Sequence, residues 1–133
     1  MNKDYIMRMI EEFFRALARV MMARETKQYA DALVDLDGLS QKVTGFGLEH
    51  LMSLGAEGIV YVFRKDKDSA AEKIYCSARI LKEEGLIFEA QGKIDDSSKR
   101  FLIAKELFRV ASELDFPEKD EAMKEFEELR IIK

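Results

Sequence analysis

Apolar residues recur along this chain every three or four positions and hardly ever alternate, which is the signature of packed helices. From Asp4 to about Ala23, Tyr5, Met9, Ile10, Phe13, Leu17, Val20 and Met21 fall on one helical stripe. Ile6, Phe14 and Met22 widen it, so the first helix is expected to cover two neighbours, or one neighbour and a second subunit. Arg8–Glu12 and Glu11–Arg15 stand at the i,i+4 spacing of ion pairs on the other side. A second helix is predicted from Thr26 to Lys42, with Tyr29, Ala32, Leu33, Leu36 and Leu39 turned inward. Gly38 weakens its far end by about 1 kcal/mol relative to alanine.

The stretch 44–47 reads as a break, and Leu48 to Gly55 as a short helix closed by a glycine C-cap. Ile59 to Phe63 is β-branched and aromatic, a strand by propensity. No second strand exists to pair with it, and a lone strand leaves its backbone groups unsatisfied. A short, buried helical segment is therefore expected. Ser69-x-x-Glu72 has the form of a capping box. It opens a helix carrying Ala71, Ile74, Tyr75, Ala78, Leu81, Gly85 and Phe88. A turn at 91–96 comes next, with Asp95 and Asp96 placed to cap another helix, which Phe101, Ala104, Phe108, Ala111 and Leu114 line. Phe116-Pro117 stops it and opens a last helix with a narrow stripe of Ala122, Met123, Phe126 and Leu129. That helix should dock as a lid and fray over Ile131, Ile132 and Lys133.

The sum is an all-α, compact bundle of antiparallel helix hairpins in one domain, 1–133. It divides into an N-terminal helix pair (1–43), a connector with short helices (44–67), a hairpin (68–115) and a C-terminal helix (117–133). With 133 residues the chain is long enough to bury roughly two-thirds of its unfolded surface. One proline and seven glycines are too few for a turn-dense β fold. The net charge of −4 supplies no field that draws the protein to nucleic acid or anionic lipid. A single cysteine, Cys76, excludes an internal disulfide and points to a reducing, cytoplasmic setting. Early charges at Arg8, Glu11 and Glu12 interrupt any signal-peptide core, and no apolar run approaches the ~20 residues of a membrane span.

Gly85-x2-Phe88-x3-Gly92-x4-Ser97-x3-Phe101-x2-Ala104 resembles the tetratricopeptide pattern of small and aromatic positions. Ser97 stands where that pattern has alanine, and Arg109 stands where it has proline. Tyr29-x2-Ala32-Leu33 resembles the second half of a more degenerate unit. Most of the chain up to about Leu114 is similar to a family of small uncharacterised bacterial helical proteins with tetratricopeptide-like hairpins. The matching pieces are the opening 4–11, Tyr29-x2-Ala32-Leu33, the 48–63 connector and Glu84-Gly85…Gln91-Gly92. No activity comes with that resemblance. The tetratricopeptide resemblance implies a peptide-binding face on the inner side of the hairpin's first helix: Arg79, Lys82, Glu83, Leu86 and Glu89. Such repeats generally need about three units, so the first and last helices are expected to supply the missing burial.

Chemistry is sparse. Asp35-Leu36-Asp37-Gly38 is similar to the nucleophile motif of haloacid-dehalogenase-like phosphatases, but Leu39 stands where a threonine is wanted and no parallel sheet is predicted. Two solvent-facing helix carboxylates are the expectation. The same acids fail as a calcium loop because position twelve is Phe46. His50 is the only histidine, which with Cys76 is too little for an intrachain zinc site. The chain is therefore expected to be no enzyme, to need no metal or cofactor, and to bind another protein or its own copy. A dimer face through Phe14 and Met22 is one form of this. The alternative is a carrier of a small molecule or acyl chain, with a cavity lined by methionine and phenylalanine.

Overall fold

A computed structural model describes residues 3–132, and six helices make up its regular structure: α1 (Lys3–Glu25), α2 (Tyr29–Thr44), α3 (Leu48–Phe63), α4 (Ala70–Ala90), α5 (Ile94–Ser112) and α6 (Lys119–Ile132). No strand occurs among the described residues. The backbone of α6 continues through Ile132, and Lys133, the last residue of the expected frayed end, lies outside the described residues.

Two of the turns are built alike. After α4, Gly92 takes φ 79; its N–H donates to Glu89 O and that of Lys93 to Phe88 O, at 3.0 and 2.8 Å. These two bonds make a Schellman cap, which satisfies the last carbonyls of the helix. After α1 the same pair runs from Lys27 to Arg24 O and from Gln28 to Ala23 O, at 3.0 and 2.8 Å. There the left-handed position, φ 65, is held by Lys27. Thr26, expected to begin the second helix, instead ends the first, and its hydroxyl donates to Met22 O at 2.9 Å.

Ile59 to Phe63 is helical. Gly55, at φ 70 and ψ 177, breaks α3 in a region essentially reserved for glycine. The segment beyond it buries Ile59 and Phe63, four residues apart, while Tyr61 points outward at 67% exposure. Burial on one helical face thus decides the conformation against β-propensity.

α4 runs through the middle, against α1, α2, α3 and α5, while α6 packs along α5 and α1 along α2. The glycine at position 85 is what lets the hairpin close. A β-carbon there would stand 2.7 Å from the Phe101 ring. Tyr75 is the hub of the core, 1% exposed. Its ring meets Phe14, Phe108 and Phe116 edge-on at 6.1, 5.9 and 5.9 Å, the geometry that aromatic quadrupoles favour.

Several local expectations are corrected. Ser69 makes no capping bond to the α4 backbone; its hydroxyl donates to Asp66 Oδ2 at 2.8 Å, so 69–72 is no capping box. Asp95 and Asp96 lie within the first turn of α5, where they complement the helix dipole, rather than at its cap. On α6 Ala122, Glu125 and Leu129 are buried and Phe126 packs partly buried against the core, with Met123 45% exposed. On α1 Ile10, Phe13, Leu17 and Val20 are buried and Met9, Phe14 and Met21 pack partly buried beside them, so the helix covers both α2 and α4, while Tyr5 and Met22 are exposed.

Candidate interaction site

Charged residues reach far into this bundle, and their partners decide which surfaces are free. Glu83, 3% exposed, is ion-paired with Arg24 of α1. Glu84, 4% exposed, accepts from Arg100 Nε of α5 at 3.0 Å. Glu125 of α6 accepts from Lys82 Nζ at 2.7 and 2.9 Å and lies 3.5 Å from Arg79 Nε. Burial pushes the carboxyls of Glu83 and Glu84 above the ordinary glutamate range, outweighing the pull of their arginines.

These pairs occupy the face that the tetratricopeptide resemblance offers to a peptide. Arg79, Lys82 and Glu83 tie α4 to α1 and α6, and Arg79 also lies over the Phe14 ring at 5.6 Å. Leu86 and Glu89 are half-buried on the same helix. A peptide docking there has to displace ion pairs that hold the fold together. The two residues of the candidate dimer face are also separated by their surroundings. Phe14 is half-buried against Phe13, Tyr75 and Arg79 of its own chain, and Met22 is 67% exposed.

Asp35 is exposed, but Asp37 is not simply solvent-facing as expected. Its Oδ1 accepts from Leu48 N–H at 2.9 Å and its Oδ2 from Gln41 Nε2 at 2.8 Å. From eleven residues upstream it caps α3. The close approach requires Gly47, where a β-carbon would meet Asp37 Oδ1 at 2.9 Å. His50 is exposed and packs against the Phe46 ring at 4.7 Å. Cys76 is fully buried, and burial pushes its thiol far above the ordinary range, which suppresses the nucleophilic thiolate. No group of three histidine, cysteine or carboxylate residues among the described ones is placed to hold a metal ion.

A surface that no expectation named is the strongest candidate site. The start of α1, the residues leading into α4 and the α5–α6 connection enclose a cleft of about 580 Å3. Ile6, Met7, Ile10, Phe116 and Pro117 give it apolar walls. Glu11, Asp68, Glu72, Asp115 and Glu118 line it with carboxylates, and Lys3 is the one cation among its described lining residues. Glu72 is only 8% exposed. Burial, aided by the charge of Asp66, raises its carboxyl above the ordinary range. Burial and the charge of Glu72 do the same to Glu118. No cation of the described residues lowers either one. The sequence holds no local sign of this cleft, because its acids come from three separate elements.

Compared with known proteins, the chain matches no family model, no curated protein and no solved structure. No helix among the described residues is long and apolar enough to cross a membrane.

Proposed function

We propose that the chain is a non-catalytic interaction domain that docks a segment of another protein in the cleft between the start of α1 and the α5–α6 connection. The observation that carries this reading is an exposed methionine at the mouth of an acid-lined cleft. Met7 is 48% exposed at the cleft while the neighbouring Ile10 is 7% exposed. A concave surface of this size with mixed apolar and charged lining is in the range of binding sites. Elsewhere the carboxylates of the interior are spent on ion pairs, and the one thiol is sealed in the core.

An internal cavity for a greasy ligand finds less support. The aromatic rings of the core pack on one another, and Met7, Met22 and Met123 lie on the outside. Kinship with tetratricopeptide-like proteins belongs to the same proposal, supported by the Gly85–Phe101 contact and the Gly92 turn. So does a cytoplasmic setting, which the lone, buried Cys76 favours.

The test is photo-crosslinking in cells from a probe at Met7, with Met123 on α6 as the control position. A protein adduct of discrete mass from Met7 and none from Met123 is the expected result. An adduct of lipid mass would transfer the cleft to the ligand-carrier reading. The same adduct pattern from both positions would contradict a docking cleft.

A further inference from the structure

We infer that the occupant of this cleft is a basic amphipathic segment of the partner, with a lysine or arginine side chain set between Glu72 and Glu118 and apolar neighbours on Met7 and Phe116. The inference rests on the docking reading and adds the chemistry of the partner. Its starting point is an imbalance. A buried carboxylate is stable when a counter-charge and hydrogen bonds replace its water. Glu83, Glu84 and Glu125 each receive such a partner from a neighbouring helix. Glu72, as deeply buried as Glu125, accepts from its own backbone N–H but has no ion pair among the described residues, and its charge acts on Glu118 across the cleft.

The group that complements these acids is cationic. Its surroundings narrow its identity further. A divalent metal ion needs more ligands than these, and no grouping of three suitable residues exists among those described. Anionic lipid and nucleic acid are repelled by the same acids. A free small cation leaves the apolar walls uncovered. Side chains three and four positions apart on a helix share one face, so a basic amphipathic helix brings a cation and two apolar anchors together. Helix-in-groove recognition uses this spacing, and a charge-assisted bond to a carboxylate supplies the specificity. The exposed basic residues Arg15 and Arg19 on α1 make a second copy of this chain the rival occupant. A contact between two different surfaces of one chain is heterologous and propagates into open assemblies, so it registers as concentration-dependent mass.

The experiment is calorimetric titration of the full chain with a synthetic amphipathic helical peptide of leucine and lysine, and with the same peptide carrying glutamate for lysine. The proteins are the wild type, the cleft variant Glu72→Gln/Glu118→Gln, and a control with the same charge change, Glu49→Gln/Glu128→Gln, at exposed positions. Circular dichroism checks that each is folded. Met7→Arg, at a position already 48% exposed, brings its own cation to the cleft and serves as a second probe. The expected result is binding of the lysine peptide to wild type and control, at least about tenfold weaker for the cleft variant and for Met7→Arg, and no binding of the glutamate peptide. Equal weakening of cleft and control variants would overturn the inference, as would equal binding of both peptides. Failure of the wild type to bind the lysine peptide, with the Met7 crosslink intact, would overturn the cationic partner and leave the docking cleft standing. A mass that rises with protein concentration and falls with Met7→Arg would replace the partner by a second copy.

Discussion

The ring of Phe101 lies where a side chain on Gly85 would have to stand: a β-carbon at position 85 would come within 2.7 and 2.9 Å of two ring atoms. Phe101 is itself buried, 4% exposed, so the ring has to shift to admit a side chain. Gly85→Ala gains about 1 kcal/mol of helix propensity and forces a buried overlap that costs about 1–3 kcal/mol. A net loss of stability is expected. Gly38 is the contrast, a glycine inside α2 with nothing within 4 Å of its missing β-carbon. Gly38→Ala is expected to stabilise by about 1 kcal/mol. Urea denaturation of the two variants checks the opposite signs.

Asp37 holds the first free amide of α3 from the middle of α2. Asp37→Ala leaves Leu48 N–H without that acceptor and is expected to cost about 1 kcal/mol. Asp35→Ala, at an exposed neighbour, is expected to change stability by less than about 0.5 kcal/mol. Equal effects in thermal melts would contradict the capping role.

Lys27 occupies a left-handed backbone position at φ 65. For a residue with a β-carbon that conformation costs roughly 1 kcal/mol. Lys27→Gly relieves it without removing any backbone bond of the turn, at some cost in unfolded-chain entropy. A rise in melting temperature is expected, and a fall would contradict the turn geometry.

The pH dependence of stability has an unusual sign. Burial raises the carboxyls of Glu72, Glu83, Glu84 and Glu118 above the ordinary glutamate value of 4.5. In the window above 4.5 the folded chain holds protons that the unfolded chain has released. Stability then falls as pH rises through that window and is fully present below it. Asp66, bonded to Lys73 and Ser69, and Glu106, bonded to Arg109, are lowered instead. Their contribution is present above the ordinary values of 3.8 and 4.5 and disappears below them. The melting temperature is thus expected to rise on acidification from neutral toward the ordinary glutamate value of 4.5 and to drop in stronger acid. A melting temperature that falls steadily from neutral pH downward would contradict the burial of these carboxyls.

Helix content and the α4–α5 hairpin were legible because a 3.6-residue period and two glycines, at 85 and 92, state them locally. The end of α1 was not, because lysine stands where glycine usually marks the turn. Periodicity also counts a charge as outward. Glu83, Glu84 and Glu125 are inward because Arg24, Arg100 and Lys82 meet them from 59, 16 and 43 residues away. The apolar spacing of α1 suggested one broad face, yet Tyr5 and Met22 are 55% and 67% exposed. For the same reason the cleft was invisible: Met7, Glu72 and Glu118 share no sequence neighbourhood, and only the packing of three elements brings them together.

The most direct test of the docking cleft is a two-dimensional amide NMR titration of the isotopically labelled full chain with the leucine–lysine peptide. Docking in the cleft predicts shifts concentrated at Ile6, Met7, Glu72, Phe116 and Glu118, with the α1–α2 face around Arg19 and Lys42 unmoved. Shifts centred on that face, or spread evenly over every acidic surface, would contradict it.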